Sequence, residues 1–166
     1  MKECRNAAGA LLLKPWSDRV NVCCEMALFV TIVAMTLVTM LQIVFRMWFR
    51  ALIWSEELTC FLLVVASFLG TAVAFKRGAH IAVTFLVDAM PKRLGRFCLI
   101  GIACVGMAFF AVVTWYGVVL CWQERAQTAT AIAISMSWIY LIFPLSGLIV
   151  ILHLAARVEE LISGAA

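Results

Sequence analysis

The fold this sequence predicts is all-α: an integral membrane protein of four transmembrane helices, with a short cytoplasmic amphipathic helix between spans two and three. Three observations predict it. Hydrophobic residues make up 66% of the chain and charged ones 13%, and the mean hydropathy is +1.08, far more apolar than a domain with a normally charged surface. The apolar residues come as long runs without charge rather than as faces of amphipathic elements. Lys and Arg divide ten to three between the two sides those runs define.

The chain opens with Lys2, Arg5 and Lys14 around a short apolar patch at 10–13. That patch is shorter than a signal-peptide core, and Lys14-Pro15 stands where a small-residue cleavage site would be. The first long apolar run is therefore expected to act as an uncleaved signal anchor. Charge-free runs follow at 26–45, 58–75, 97–122 and 126–156. Each supplies the ~17 or more residues that roughly 30 Å of hydrocarbon demands at ~1.5 Å per residue. All must be helical, because irregular backbone facing lipid would leave its polar groups unpaired. The expected organisation is a cytoplasmic segment over 1–22, a transmembrane domain over 23–158 with spans at about 24–46, 56–76, 96–122 and 132–156, and a cytoplasmic tail over 159–166.

Orientation follows from the basic residues. Lys2, Arg5, Lys14, Arg19, Lys76, Arg77, Lys92, Arg93, Arg96 and Arg157 lie on one side, against Arg46, Arg50 and Arg125 on the other. The positive-inside rule makes the N-terminus, the middle loop and the C-terminus cytoplasmic. Trp48, Trp54, Trp115, Tyr116, Trp122, Trp138 and Tyr140 then gather towards the outer ends of the spans, as interfacial aromatics do. The seven cysteines show no metal-like spacing, and most fall inside apolar runs, where a thiol packs as a small hydrophobe. Basic residues scattered around membrane helices report topology and give no reason to expect nucleic acid.

In the middle loop His80, Thr84, Asp88 and Lys92 recur at intervals of four, while Ile81, Phe85, Leu86, Ala89 and Met90 lie towards the other side. The pattern fits an amphipathic helix on the membrane surface ended by Pro91; an ordinary connector fits the same residues. Ala66, Gly70 and Ala74 give the second span a face that another helix can approach closely, and Gly101, Cys104, Ala108 and Ala111 do the same for the third.

Chemistry at membrane depth needs ionisable groups there. This chain has few: Glu25 and His153 lie towards inner ends of spans, and otherwise Gln42 and scattered Ser and Thr occupy the runs. A haem would have to use His80 and His153, the two histidines of the chain, and no cofactor is expected. Pro144, followed by Ser146-Gly147, marks a kink in the fourth span. At the outer start of the second span, Trp54-Ser55-Glu56-Glu57 combines a capping serine with two carboxylates at the positive helix end. The patch either caps the helix or pairs with Arg46 and Arg50 and docks another protein.

Taken in order, Trp54-Ser55-Glu56-Glu57, Gly70, the segment Lys76-Arg77-Gly78-Ala79-His80-Ile81, Pro91-Lys92-Arg93, and Gln127, Thr130-Ala131, Ser137-Trp138-Ile139-Tyr140 and Pro144 resemble the small (Q-type, DctQ-like) subunit of tripartite ATP-independent periplasmic (TRAP) transporters. The resemblance covers roughly residues 20–155. Thr84 stands where that pattern leads one to expect an acidic residue. The resemblance implies no enzyme but an auxiliary subunit in the bacterial inner membrane. Its implied partners are the phospholipid bilayer, a large multi-span membrane subunit that carries solute and sodium, and a periplasmic binding protein that delivers an organic acid. It implies interface or structural roles for Trp54, Glu56, Glu57, Gly70, Arg77, His80, Trp138, Tyr140 and Pro144. The alternative is a small membrane redox subunit, haem- or quinone-linked.

Overall fold

The computed structural model describes residues 13–48, 52–77 and 92–163. The middle-loop helix, His80 and Arg50 lie outside them. Four helices are long and apolar enough to cross a membrane: α1 (Lys14–Trp48), α2 (Ile53–Lys76), α3 (Lys92–Gln123) and the last helical stretch. That stretch is divided at Leu141 into a short α4 (Met136–Tyr140) and α5 (Ile142–Ser163). A 3-10 turn over Glu124–Ala126 leaves α3. At 35 residues α1 extends about 52 Å at ~1.5 Å per residue, well past the ~30 Å of hydrocarbon. Its surplus lies in polar first turns that hold Lys14, Ser17, Asp18, Asn21 and Glu25.

Hydroxyls within the apolar stretches turn back on their own helices. Thr31, Thr36, Thr39, Thr59, Ser67, Thr71 and Thr114 each donate to the carbonyl four residues earlier, at 2.7–2.9 Å. No hydroxyl among these needs a partner from elsewhere, which is what hydrocarbon surroundings demand. Ser55 departs from its expected capping role. Its backbone N–H and hydroxyl both run to the Leu52 carbonyl, the hydroxyl at 2.7 Å, and the N-cap position belongs to Leu52. Ser55 sits within the first helical turn, one turn too late to cap it.

Packing centres on α5. In its most apolar window 44% of residues are buried inside the molecule, against 0% for α1. One cluster joins Ala72 of α2, Ala103 and Phe110 of α3, and Val150 and Leu154 of α5. A second joins Cys24 of α1, Leu69 and Val73 of α2, and Ile142 of α5. Each cluster holds an edge-to-face ring pair, Phe75 with Phe110 at 5.1 Å in the first and Phe68 with Phe143 at 4.6 Å between centroids in the second, and Ile149 packs against both.

The α3–α5 contact is the tightest, and glycine makes it so. A Cβ added at Gly117 would lie 2.8 Å from Pro144 Cδ and 2.9 Å from Phe143 Cβ, and one at Gly147 would collide with the Thr114 hydroxyl. Gly106 faces Leu154 in the same way, at 3.0 Å. The small-residue stripe that the sequence suggests for the third span, Gly101, Cys104, Ala108 and Ala111, is exposed instead. The face that packs is Ala103, Gly106, Phe110, Thr114 and Gly117, because large residues such as Phe110 fill the space between glycines.

Gly117→Ala is expected to destabilise the purified chain by about 1–3 kcal/mol, the usual cost of forcing extra volume into a packed contact. Gly101→Ala, with nothing within 4 Å of the added carbon, is expected to leave stability undiminished. Thermal unfolding of both variants in the same detergent checks this, and equal losses would contradict the close contact at Gly117.

Candidate functional site

Polar side chains gather at the two ends of the bundle. At one end, the outer one on the charge bias of the sequence, Glu57, in the second turn of α2, reaches the connection between α3 and α4. Its Oε1 accepts the Thr130 N–H at 2.9 Å and the Thr130 hydroxyl at 3.3 Å. Its Oε2 accepts the N–H groups of Ala131 at 2.7 Å and Ile132 at 3.0 Å. Three successive backbone donors converging on one carboxylate form an anion-holding concavity of the kind a phosphate or helix-end ligand would use; here a side chain of the same molecule occupies it.

The connection is folded for this purpose. Ala129 N–H bonds the Ile134 carbonyl at 2.9 Å, Met136 N–H bonds the Gln127 carbonyl at 2.9 Å, and Ile134 N–H bonds the Ile132 carbonyl. Thr128 and Ser135 form an antiparallel bridge. Ser135 and Ser137 hydroxyls donate to the carbonyls of Arg125 and Cys121, at 3.1 and 2.9 Å. Its own internal bonds therefore leave the N–H groups of 130–132 for Glu57. Trp54, Glu56 and Glu57 line an open concavity of about 700 Å³ with Leu52, Ile53, Thr130 and Ala131. Glu56 is exposed beside it, and Arg125 stacks over the Trp122 ring at 4.4 Å.

At the opposite end, the inner one on the same charge bias, the first turns of α1 meet the last turns of α2 and α5. Lys14 pairs with Glu160 at 2.7 Å, Lys76 with Asp18 at 2.7 Å and Arg77 with Glu25 at 2.8 Å. Asn21 supports Glu25 at 2.8 Å, and the Leu13 N–H donates to Glu159 at 3.2 Å. Lys14 at a helix start and Glu160 at a helix end each oppose their own helix dipole, and pairing with one another offsets this. Exposed pairs of this sort are individually weak. Beneath them lies a buried contact: Ser17 Oγ is 2.7 Å from His153 Nδ1 and accepts from Lys76 Nζ at 2.8 Å. One hydroxyl thus ties together α1, α2 and α5.

The residues the sequence singles out fall into separate groups. Trp54, Glu56 and Glu57 share the outer concavity, whereas Arg77 belongs to the inner end. Gly70 has nothing within 4 Å of its added Cβ, so the Ala66-Gly70-Ala74 face is left uncovered at that point by this chain. Trp138 stands exposed, 74% accessible, and Tyr140 leans on Phe143 at 6.1 Å. Pro144 is buried in the first turn of α5 against Gly117, where its missing N–H costs least and its ring ends the preceding helix.

A family profile described as tripartite ATP-independent periplasmic transporters, DctQ component, matches residues 35–164. The chain belongs to the DctQ family. The matched stretch takes in α1 from Met35 onward and every later element, so the DctQ match includes the whole Glu57 contact and the α2 and α5 sides of the inner junction. Among similar proteins, the sialic acid TRAP transporter small permease protein SiaQ of Vibrio cholerae is 24% identical over 113 residues, 66% of this chain and 63% of that one. The chain thus spans less than two thirds of that relative's length. The sialic acid TRAP transporter permease protein SiaT of Haemophilus influenzae is 40% identical over 57 residues, 34% of this chain and 9% of that much longer one. This DctQ chain is accordingly a multi-pass membrane component of a transporter.

The sequence marks Glu57 without marking its partners, gives Ser17 and Asp18 no role, and brings in Lys76 only through its charge and the family resemblance. A signal for the inner junction exists: Ser17, Asn21 and Glu25 recur every four residues, one polar stripe on a helix face. No comparable signal marks 130–132, since backbone N–H groups are the same in every residue but proline.

Glu57→Gln is expected to speed amide hydrogen exchange at Thr130, Ala131 and Ile132, because a neutral amide presents one acceptor oxygen where the carboxylate presents two. Glu56→Gln is expected to leave those amides unchanged. Exchange followed by mass spectrometry in detergent or nanodiscs measures both, and unchanged exchange in the Glu57 variant would remove that carboxylate from the loop.

Proposed function

We propose that this chain is the small permease subunit of a sodium-coupled, binding-protein-dependent TRAP transporter for an organic acid. In this reading it sits in the bacterial inner membrane with both termini cytoplasmic and acts as a scaffold for a large multi-span membrane subunit. A periplasmic solute-binding protein completes the system. One observation carries the reading: between its two polar ends the described interior is built of Ala, Val, Leu, Ile, Phe, Met and Cys, with hydroxyls bonded to their own helices. A carrier needs polar or ionisable groups near the bilayer midplane, so the solute's route falls to another subunit.

Membership of the DctQ family supports this division of labour. The match of a 57-residue stretch to a permease of which it covers 9% supports a large membrane partner, and the names of both relatives point to an acidic sugar, an organic acid. The ten-to-three bias of Lys and Arg supports the orientation. On this reading Glu57 braces the outer connection, while Trp54 and Glu56 offer a docking edge. Gly70 lies on a face for a partner helix. Arg77 and His80 meet headgroups or partner at the cytoplasmic face. Trp138 and Tyr140 sit at the outer interface, and Pro144 sets the kink.

Purification in mild detergent is expected to bring down a much larger multi-span protein, and a solitary chain would count against the scaffold role. Exchange of Glu56 and Glu57 together for Gln is expected to reduce complex formation or solute uptake while leaving membrane insertion intact. Normal uptake with normal complex levels would confine the pair to local structure. Ala at both Arg77 and His80 is expected to weaken assembly or uptake, with unchanged uptake as the contrary result.

A further inference from the structure

The inner junction contains a buried nitrogen whose role the ion pairs do not explain. His153 is 3% exposed, and its Nε2 meets no hydrogen-bond partner among the described residues. Beside it is a small cavity of about 30 Å³ lined by Phe75, Lys76, His153, Ala156, Arg157 and Glu160. One water requires roughly 10–15 Å³ of such space and two to four polar partners. A substrate-sized ligand requires about 300 Å³ or more. The volume therefore admits water and excludes a carboxylate solute or a lipid phosphate.

The other ring nitrogen determines which proton faces the cavity. Lys76 Nζ, a donor with no lone pair, gives a hydrogen to Ser17 Oγ. Seven other hydroxyls in these helices spend their own hydrogen on the carbonyl four residues back. The contacts of Ser17 Oγ run instead to Lys76 and to His153 Nδ1, the latter at 2.7 Å. Directed at Nδ1, its hydrogen would make that nitrogen the acceptor and leave the neutral ring's proton on Nε2. An N–H buried without an acceptor is destabilising, and a water in the adjacent cavity removes that cost. Glu160 shares one oxygen with Lys14, yet a carboxylate has about four lone-pair sites, enough to accept from a water as well.

We propose that the inner three-helix junction is a built hydration site: an ordered water, held by His153 Nε2–H and the polar rim of Lys76, Arg157 and Glu160, completes the Lys76–Ser17–His153 chain and keeps His153 in its Nε2–H tautomer. Water is here a structural ligand joining α2 to α5. The site stands apart from the transport reading and does not depend on it.

The test is a magic-angle-spinning NMR spectrum of the full chain in phospholipid bilayers with ¹⁵N-labelled histidine. His80→Gln leaves His153 as the single histidine signal; the unsubstituted chain, with two, is measured in parallel as a control for the substitution. The expected result is an unprotonated Nδ1, a protonated Nε2, and magnetisation transfer from water to the Nε2 proton. A proton on Nδ1, protons on both nitrogens, or an Nε2–H without water transfer would each overturn the proposal.

Discussion

A polar group in hydrocarbon has to find its partner within the protein, and every specific contact in this structure is arranged around that constraint. The four long helices satisfy their own backbones, and the Thr and Ser hydroxyls along them satisfy theirs on the preceding turn. Among the described residues, these hydroxyls in the middle of the bundle are then not used to direct one helix against another. Association there relies on shape, through glycines at 106, 117 and 147 and the Phe68–Phe143 and Phe75–Phe110 ring pairs. Directional contacts are displaced to the two ends.

The two ends use different chemistry for a physical reason. The outer connection enters α4 through irregular backbone, so its exposed need is for an acceptor of N–H groups, and Glu57 supplies it from α2. At the inner end three helix termini converge, and their charges can be paired across helices: Lys14 with Glu160, Asp18 with Lys76, Glu25 with Arg77. Water at such an end screens these pairs. The buried Ser17–His153 contact below them is less screened and therefore more discriminating about geometry.

α5 holds the molecule together because it takes part in nearly all of this. It offers Pro144 and Gly147 to α3, Ile142 to the α1–α2 side, Val150 and Leu154 to both, and His153 to the inner junction. α1, by contrast, is held chiefly at its first turns and along α2, and no residue of its most apolar window is fully buried by the chain itself. A DctQ component built this way has a packed centre and an apolar flank.

How much of this was legible in the sequence depends on the kind of interaction. The four apolar runs were plain, because span length is dictated by bilayer thickness and read directly from composition. An interruption near Pro144 could be read too, since a missing N–H acts locally, and the last helical stretch divides at Leu141. Glu57 could be singled out, but its partners are main-chain groups 73 to 75 residues away, and those leave no mark in residue type. The same holds for the third span, where Gly101 and Gly117 look alike in sequence. Which of them is pressed against a neighbour depends on how α3 turns about its axis, and the side chains of α5 set that rotation. The amino-acid order by itself determined the number of spans, their helical form and the charge bias across them, because those follow from chain and solvent alone. The tertiary structure decided which faces meet and that Ser17, Lys76 and His153 share one hydrogen-bonded chain, because contacts between distant residues exist only once the helices have packed.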